Sequence, residues 1–179
     1  MSRTEPSDKQ PTSLLGFLLV MYAVAFAGYL GVRRGLPVWY GSLVHPAFTP
    51  APWVFGPIWS ILYLLIGLAG WQLWIAASSP ARNAAMALFG LQLVLNSAWS
   101  WLFFGFQRPL ASLIELGFLW VAILVTLLVS LRVRPLIAAV LLPYLLWVSF
   151  AGYLNFGIWS LNYRNHQGVG PIETIVNPE

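Results

Sequence analysis

The chain has 179 residues, of which 59% are hydrophobic and only 8% charged, with a mean hydropathy of +0.77. A soluble domain carries about 25% charged residues, so a globular, water-facing surface is excluded, and disorder is excluded by the same figures because it needs low hydrophobicity and high charge. The net charge is +4, but the nine Lys and Arg are scattered singly or in pairs rather than clustered as a nucleic-acid footprint requires.

The predicted elements are read in chain order. Residues 1–13 (MSRTEPSDKQPTS) are polar and read as a tail. The first apolar run, 14–32, has 19 residues and reaches about 28 Å as a helix, enough to cross a hydrocarbon core of about 30 Å. Ala25-Phe26-Ala27 resembles a signal-peptidase site. The run continues past it to Val32, however, and Glu5 and Asp8 precede it, so it reads as a span. Arg33-Arg34 closes this span, and residues 33–52 form a Pro/Gly-rich loop with three aromatics, Trp39, Tyr40 and Phe48, and His45.

Further spans are predicted over 53–77, 82–106, 110–131 and 136–161. Ser79-Pro80 reads as an N-cap followed by proline at the first helical position. Pro109 and Pro135 repeat that proline start. Residues 162–179 are a polar tail. The expected fold class is therefore an all-α membrane protein, a five-transmembrane-helix bundle. No internal repeat supports an inverted-repeat transporter. Five basic residues on the N-terminal side against four on the other fix no orientation.

Polar groups within the spans are the first functional candidates, because lipid makes them expensive. Glu115 is the one acid within any predicted span. It admits a structural reading, bonded to a neighbouring helix, Arg108 or water, and a functional one as a proton or ligand contact. Gln92, Asn96 and Ser100 fall at i, i+4 and i+8 and share one helix face, with Trp99 and Phe103 beside them. In the fifth helix Asn155 shares a face with Ala151 and Tyr144, next to Trp147. Such rows serve interhelical hydrogen bonding or line an apolar pocket.

Ten Trp, seven Tyr and eleven Phe make the chain 16% aromatic. Interfacial belts use some Trp and Tyr, but Trp59, Tyr63, Trp99 and Trp147 lie deeper. Together with Trp39 and Phe48 in the loop they point to a shared cavity for a large flat or apolar ligand. Ala23, Ala27 and Gly31 form a small-xxx-small-xxx-small stripe, open to either an intramolecular contact or a homodimer face.

Other chemistry is thin. There is no cysteine, and His45 and His166 alone do not build a conventional metal site, so no metal is expected. Gly168-Val169-Gly170 has no following helix and is no nucleotide loop. A spaced serine–histidine–acid set is also absent from the sequence.

Three segments carry a family resemblance: WVFGPIWSILY (53–63), LQLVLNSAWSWLFFG (91–105) and LPYLLWVSFAGYLNFGIWSLN (142–162). With Trp39-Tyr40 followed by Pro46, Pro50 and Pro52, and with Glu115 where an acid is common, the chain from 14 to 162 resembles the tryptophan-rich sensory protein family. Its animal members are the mitochondrial translocator proteins, or peripheral benzodiazepine receptors.

The resemblance implies a five-helix membrane bundle, often a homodimer, in a bacterial cell membrane or a mitochondrial outer membrane. It also implies binding of porphyrin, haem precursors, other tetrapyrroles or drug-like apolar molecules beneath the covering loop 33–52, with no resident cofactor required. By position, the implied pocket residues are Trp39, Phe48, Phe55, Trp59, Tyr63, Asn96, Trp99, Trp147, Ala151 and Leu154. Two alternatives accompany this ligand-binding, sensing or regulatory expectation. One is a light-dependent porphyrin-degrading enzyme using Trp59 and Trp147; the other is a transporter of tetrapyrroles or other apolar solutes. The chain departs from the family at Ala47 and Phe48, where tryptophan is frequent. It also has Phe156 and Ser160 where a sterol motif would need tyrosine and a basic residue.

Overall fold

A computed structural model describes residues 9–163. They form five helices: α1 (Lys9–Gly35), α2 (Pro52–Ile75), α3 (Pro80–Ser100), α4 (Pro109–Ser130) and α5 (Pro135–Asn162). Among the described residues, all five helices are long and apolar enough to cross a membrane. The chain is an all-α, multi-pass membrane protein.

Helix starts follow local chemistry. Helices α2, α3, α4 and α5 each carry proline in the first helical positions, where its missing N–H leaves no intrahelical bond unmade. At α3 the Ser79 hydroxyl also accepts the Arg82 backbone N–H at 3.1 Å. The α2 C-terminus is closed from outside the helix. Arg82 donates from Nε to the Leu73 carbonyl at 3.0 Å and from Nη2 to the Trp74 carbonyl at 2.9 Å. A cation thus satisfies carbonyls that would otherwise be left without partners at the negative helix end.

Two elements differ from the sequence expectation. Helix α1 begins at Lys9 rather than at 14, because Pro11 falls in the first turn and is tolerated there. The segment after Arg34 is also helical at first. It makes one π-helical turn, Leu36–Tyr40, and remains helical to residue 42, leaving only 43–51 irregular. A second π turn, Trp101–Gly105, extends α3. The part of the predicted C-terminal tail beyond residue 163 lies outside the described residues.

The helices pack in a closed ring ordered α1, α2, α5, α4, α3, with the α3–α4 and α4–α5 seams the most extensive. The main core holds Ile66 and Leu73 of α2, Phe89 of α3, Leu119 and Ile123 of α4, and Leu141 and Tyr144 of α5. Helix α1 closes the ring through small residues. A Cβ on Gly31 would stand 3.0 Å from the Ser100 carbonyl oxygen and 3.1 Å from Trp101 Cα. One on Gly35 would run into the Phe104 carbonyl. The Trp101 indole crosses this seam and donates to the Ala27 carbonyl at 2.9 Å, which fixes the second π turn against α1.

Candidate functional site: an aromatic cavity beneath the first loop

A cavity lies where the loop meets α2, α3 and α5. Its walls are Tyr40, Phe55, Trp99, Phe103 and Phe104, with Ala151, Leu154, Asn155 and Ile158 of α5. The two π turns supply three of the five aromatics: Tyr40 from the first, Phe103 and Phe104 from the second. A π turn takes an extra residue per turn and shifts the direction of the side chains that follow. Trp99 and Phe103 stack at 5.4 Å with planes 16° apart, and Phe104 meets Phe103 edge-on at 4.8 Å. Tyr40 packs on Phe104 at 5.5 Å and on His45 at 4.6 Å. Burial pushes the pKa of the Tyr40 phenol above its ordinary value.

Asn155 supplies the one amide of the lining, and it joins three elements. Its Oδ1 accepts from Trp99 Nε1 at 3.1 Å and from the Ser112 hydroxyl at 3.0 Å. Its Nδ2 donates to the Pro109 carbonyl at 2.8 Å. These bonds hold the Trp99 indole in the plane in which it stacks on Phe103. A second hub lies deeper: Tyr63 donates to Asn96 Oδ1 at 2.9 Å, and Asn96 Nδ2 donates to the Tyr144 hydroxyl at 3.1 Å.

The roof is strapped to α5. Val44 and Asn162 exchange two hydrogen bonds: Val44 N–H to Asn162 Oδ1 at 2.8 Å, and Asn162 Nδ2 to the Val44 carbonyl at 2.9 Å. The Tyr153 hydroxyl donates to the Ala47 carbonyl at 3.0 Å. Pro46 lies so close over Gly157 that a Cβ there would meet its ring at 2.6 Å. Trp39 donates from Nε1 to the Tyr163 hydroxyl at 3.1 Å and packs edge-on against Phe103 at 5.5 Å.

Of the residues singled out from sequence, Phe55, Trp99, Ala151 and Leu154 line the cavity. Trp39 backs it through Phe103. Tyr63 and Asn96 belong to the deeper hub, and Trp59 packs on Tyr63 and Tyr144 at 5.4 and 6.5 Å. Trp147 touches Phe55 edge-on at 5.9 Å. It lines a separate apolar groove between α2 and α5, with Ile58, Leu62 and Pro143. Phe48 is outside the cavity. It is 86% exposed with φ of 62°, because the turn at Ala47-Phe48 directs it outward.

In the small-residue stripe, Gly31 is buried against Ser100 and Trp101 of the same chain, Ala27 is half-buried and Ala23 is exposed. Tyr40, Phe104 and Ile158 lie in segments that carry the family resemblance but are not among the pocket residues it implies. They reach the cavity through the π turns and through the loop's docking on α5. Among the described residues no group of three or more His, Cys, Asp or Glu is placed to hold a metal.

Five membrane-spanning helices around an aromatic cavity, closed by a first loop tied to the fifth helix, define a compact class of α-helical membrane protein. The TspO/MBR family model matches residues 17–160, and the chain belongs to that family. It is 39% identical over 162 residues to the tryptophan-rich protein TspO of Chlorobaculum tepidum, covering 87% of this chain and 99% of that one. It is 40% identical over 151 residues to the protein of the same name from Archaeoglobus fulgidus, covering 83% and 96%. The translocator protein of Sus scrofa is 33% identical over 165 residues, covering 89% and 95%.

Proposed function

We propose that this protein binds flat, largely apolar aromatic molecules, tetrapyrroles foremost, in the cavity under its first loop, as a sensor or regulator. The observation that carries the reading is the lining itself. Five aromatic rings, one of them the Tyr40 phenol, and apolar α5 residues surround the Asn155 amide, which is the composition of a pocket for an apolar ligand with few orienting contacts. The names of its relatives, tryptophan-rich sensory protein and translocator protein, are compatible with it.

The cavity volume is only about 30 Å³. A ligand of porphyrin size therefore requires the Trp99–Phe103 stack to part and the loop to lift from Asn162. Binding is expected to be coupled to loop opening, with some contact energy offsetting the lost strap.

The test is a titration of purified protein with protoporphyrin in the dark, followed by tryptophan quenching. Saturable quenching that weakens in Trp99→Phe is the expected result. Absence of quenching up to about 100 μM, a binding free energy weaker than about −5.5 kcal/mol, overturns the reading. Illumination of the same samples separates the enzymatic alternative. A new pigment spectrum that disappears in Trp147→Phe would make the protein a photo-oxidase, whereas an unchanged pigment leaves it a binder.

A further inference from the structure

The α3–α4 seam contains polar atoms that nothing in the described chain satisfies. Gln92 is fully buried, and both its Oε1 and Nε2 lack a partner. Both carboxyl oxygens of Glu115 are likewise buried and without a hydrogen bond. Four such atoms on two facing helices contrast with Asn96, one turn from Gln92, whose amide is satisfied on both sides.

Their relative depth follows from the Asn155 hub. Trp99 of α3 and Ser112 of α4 bond the same oxygen and so lie at nearly one level. Counting away from the connecting turn at about 1.5 Å per residue, Asn96 and Glu115 are each about 4.5 Å deeper. Gln92 is about 10.5 Å deeper on the same scale. Glu115 therefore stands level with Asn96, and Gln92 lies about 6 Å beyond it along the bundle axis. An offset of about one helical turn is within reach of a water held between two long side chains, and neither side chain bonds the other. Glu115 is also within electrostatic range of Tyr144, the α5 partner of Asn96.

Buried polar groups in native proteins are satisfied by protein or by ordered water, and internal waters occupy sites that offer two to four polar partners. We propose that Gln92 and Glu115 are two walls of one internal hydration site. In it, bridging water joins the α3–α4 seam to the Asn96–Tyr63–Tyr144 network. The site lies inside the bundle and is independent of whether the aromatic cavity takes a tetrapyrrole. Its ligand is water, held by an amide that both donates and accepts and by a carboxyl group. With the Asn96 hub it makes a continuous polar column through an otherwise apolar core.

A double-mutant cycle tests it in detergent-solubilised full-length protein. Gln92→Leu and Glu115→Leu each remove one wall and strand the shared water against the other. Each is expected to lower the melting temperature by roughly 3 °C or more, and the double variant by clearly less than the sum. Additive effects of the two leucine variants, whether they raise or lower the melting temperature, would mean two unconnected groups, and the proposal falls. Should a leucine variant fail to fold, infrared spectra of wild type and Glu115→Gln in ordinary and ¹⁸O-labelled water decide. An isotope-sensitive internal-water band that shifts in Glu115→Gln supports the site. Spectra without such a band, or with one the substitution leaves untouched, overturn it.

Discussion

Replacing Asn155 with leucine tests whether its amide sets the geometry of the cavity. The side chain is 1% exposed, so the substitution acts on packing and hydrogen bonds alone, and leucine nearly conserves the volume. Three bonds disappear, but their losses are unequal. The Ser112 hydroxyl keeps a second acceptor, the Pro109 carbonyl at 2.9 Å, and that carbonyl in turn keeps Ser112 as a donor. Trp99 Nε1 is left with no replacement. Two bonds thus count as lost, those from Trp99 and to Pro109.

At about 1 kcal/mol each by the general average, or about 0.6 kcal/mol each for interhelical bonds in membranes, the expected destabilisation is about 1–2 kcal/mol. That corresponds to a fall of roughly 2–8 °C in melting temperature for a protein of this size, read by near-ultraviolet circular dichroism in detergent. The freed indole is also expected to lose its fixed stacking on Phe103, which would appear as a weaker near-ultraviolet signal before unfolding. Asn155→Leu with unchanged melting temperature and unchanged tryptophan dichroism would refute the hub.

Gly31→Leu places a side chain where a Cβ already meets Ser100 and Trp101, and is expected to destabilise by about 3 kcal/mol or more. Ala23→Leu, on the exposed face of α1, should leave the melting temperature unchanged. Analytical ultracentrifugation of the Ala23 variant then reports whether that face joins two copies. Asn162→Ala removes both bonds to Val44. Faster ligand association and dissociation in stopped flow, together with earlier proteolysis within 43–51, is expected; unchanged rates would show that the strap does not limit entry. Arg82→Gln uncaps α2 and removes a guanidinium 5.5 Å from the Trp74 ring, a loss of about 1 kcal/mol measurable as a lower melting temperature.

The five spans were legible because burial in lipid leaves a long apolar run, and because proline marks the starts of α3, α4 and α5 in the sequence itself. The polar rows were legible as helix faces, Gln92–Asn96–Ser100 on α3 and Ala151–Asn155 on α5. Which partner each would find was not. Asn96 is bonded by Tyr63 and Tyr144, from two helices distant in sequence, whereas Gln92, one turn away, is bonded by nothing in the described chain. For Glu115 the sequence left a structural reading, a neighbouring helix, Arg108 or water, beside a functional one as a proton or ligand contact; among the described residues no protein group meets its carboxyl.

The sequence by itself determined that this chain lives in a membrane, crosses it five times, and carries more tryptophan than the interfaces need. Its resemblance to the family, carried over by position, pointed to Phe55, Trp99, Ala151 and Leu154 as pocket residues, and these four line the cavity. The tertiary structure decided which aromatics meet. Two π turns, at 36–40 and 101–105, break the 3.6-residue period on which every face assignment rests. They bring Tyr40, Phe103 and Phe104 into the cavity, while a turn at positive φ sends Phe48 out. Gly31 and Gly35 let α1 approach the second π turn closely enough to hold it. A periodicity argument sees neither event, because both arise where the backbone leaves its regular repeat to satisfy contacts between segments far apart in the chain.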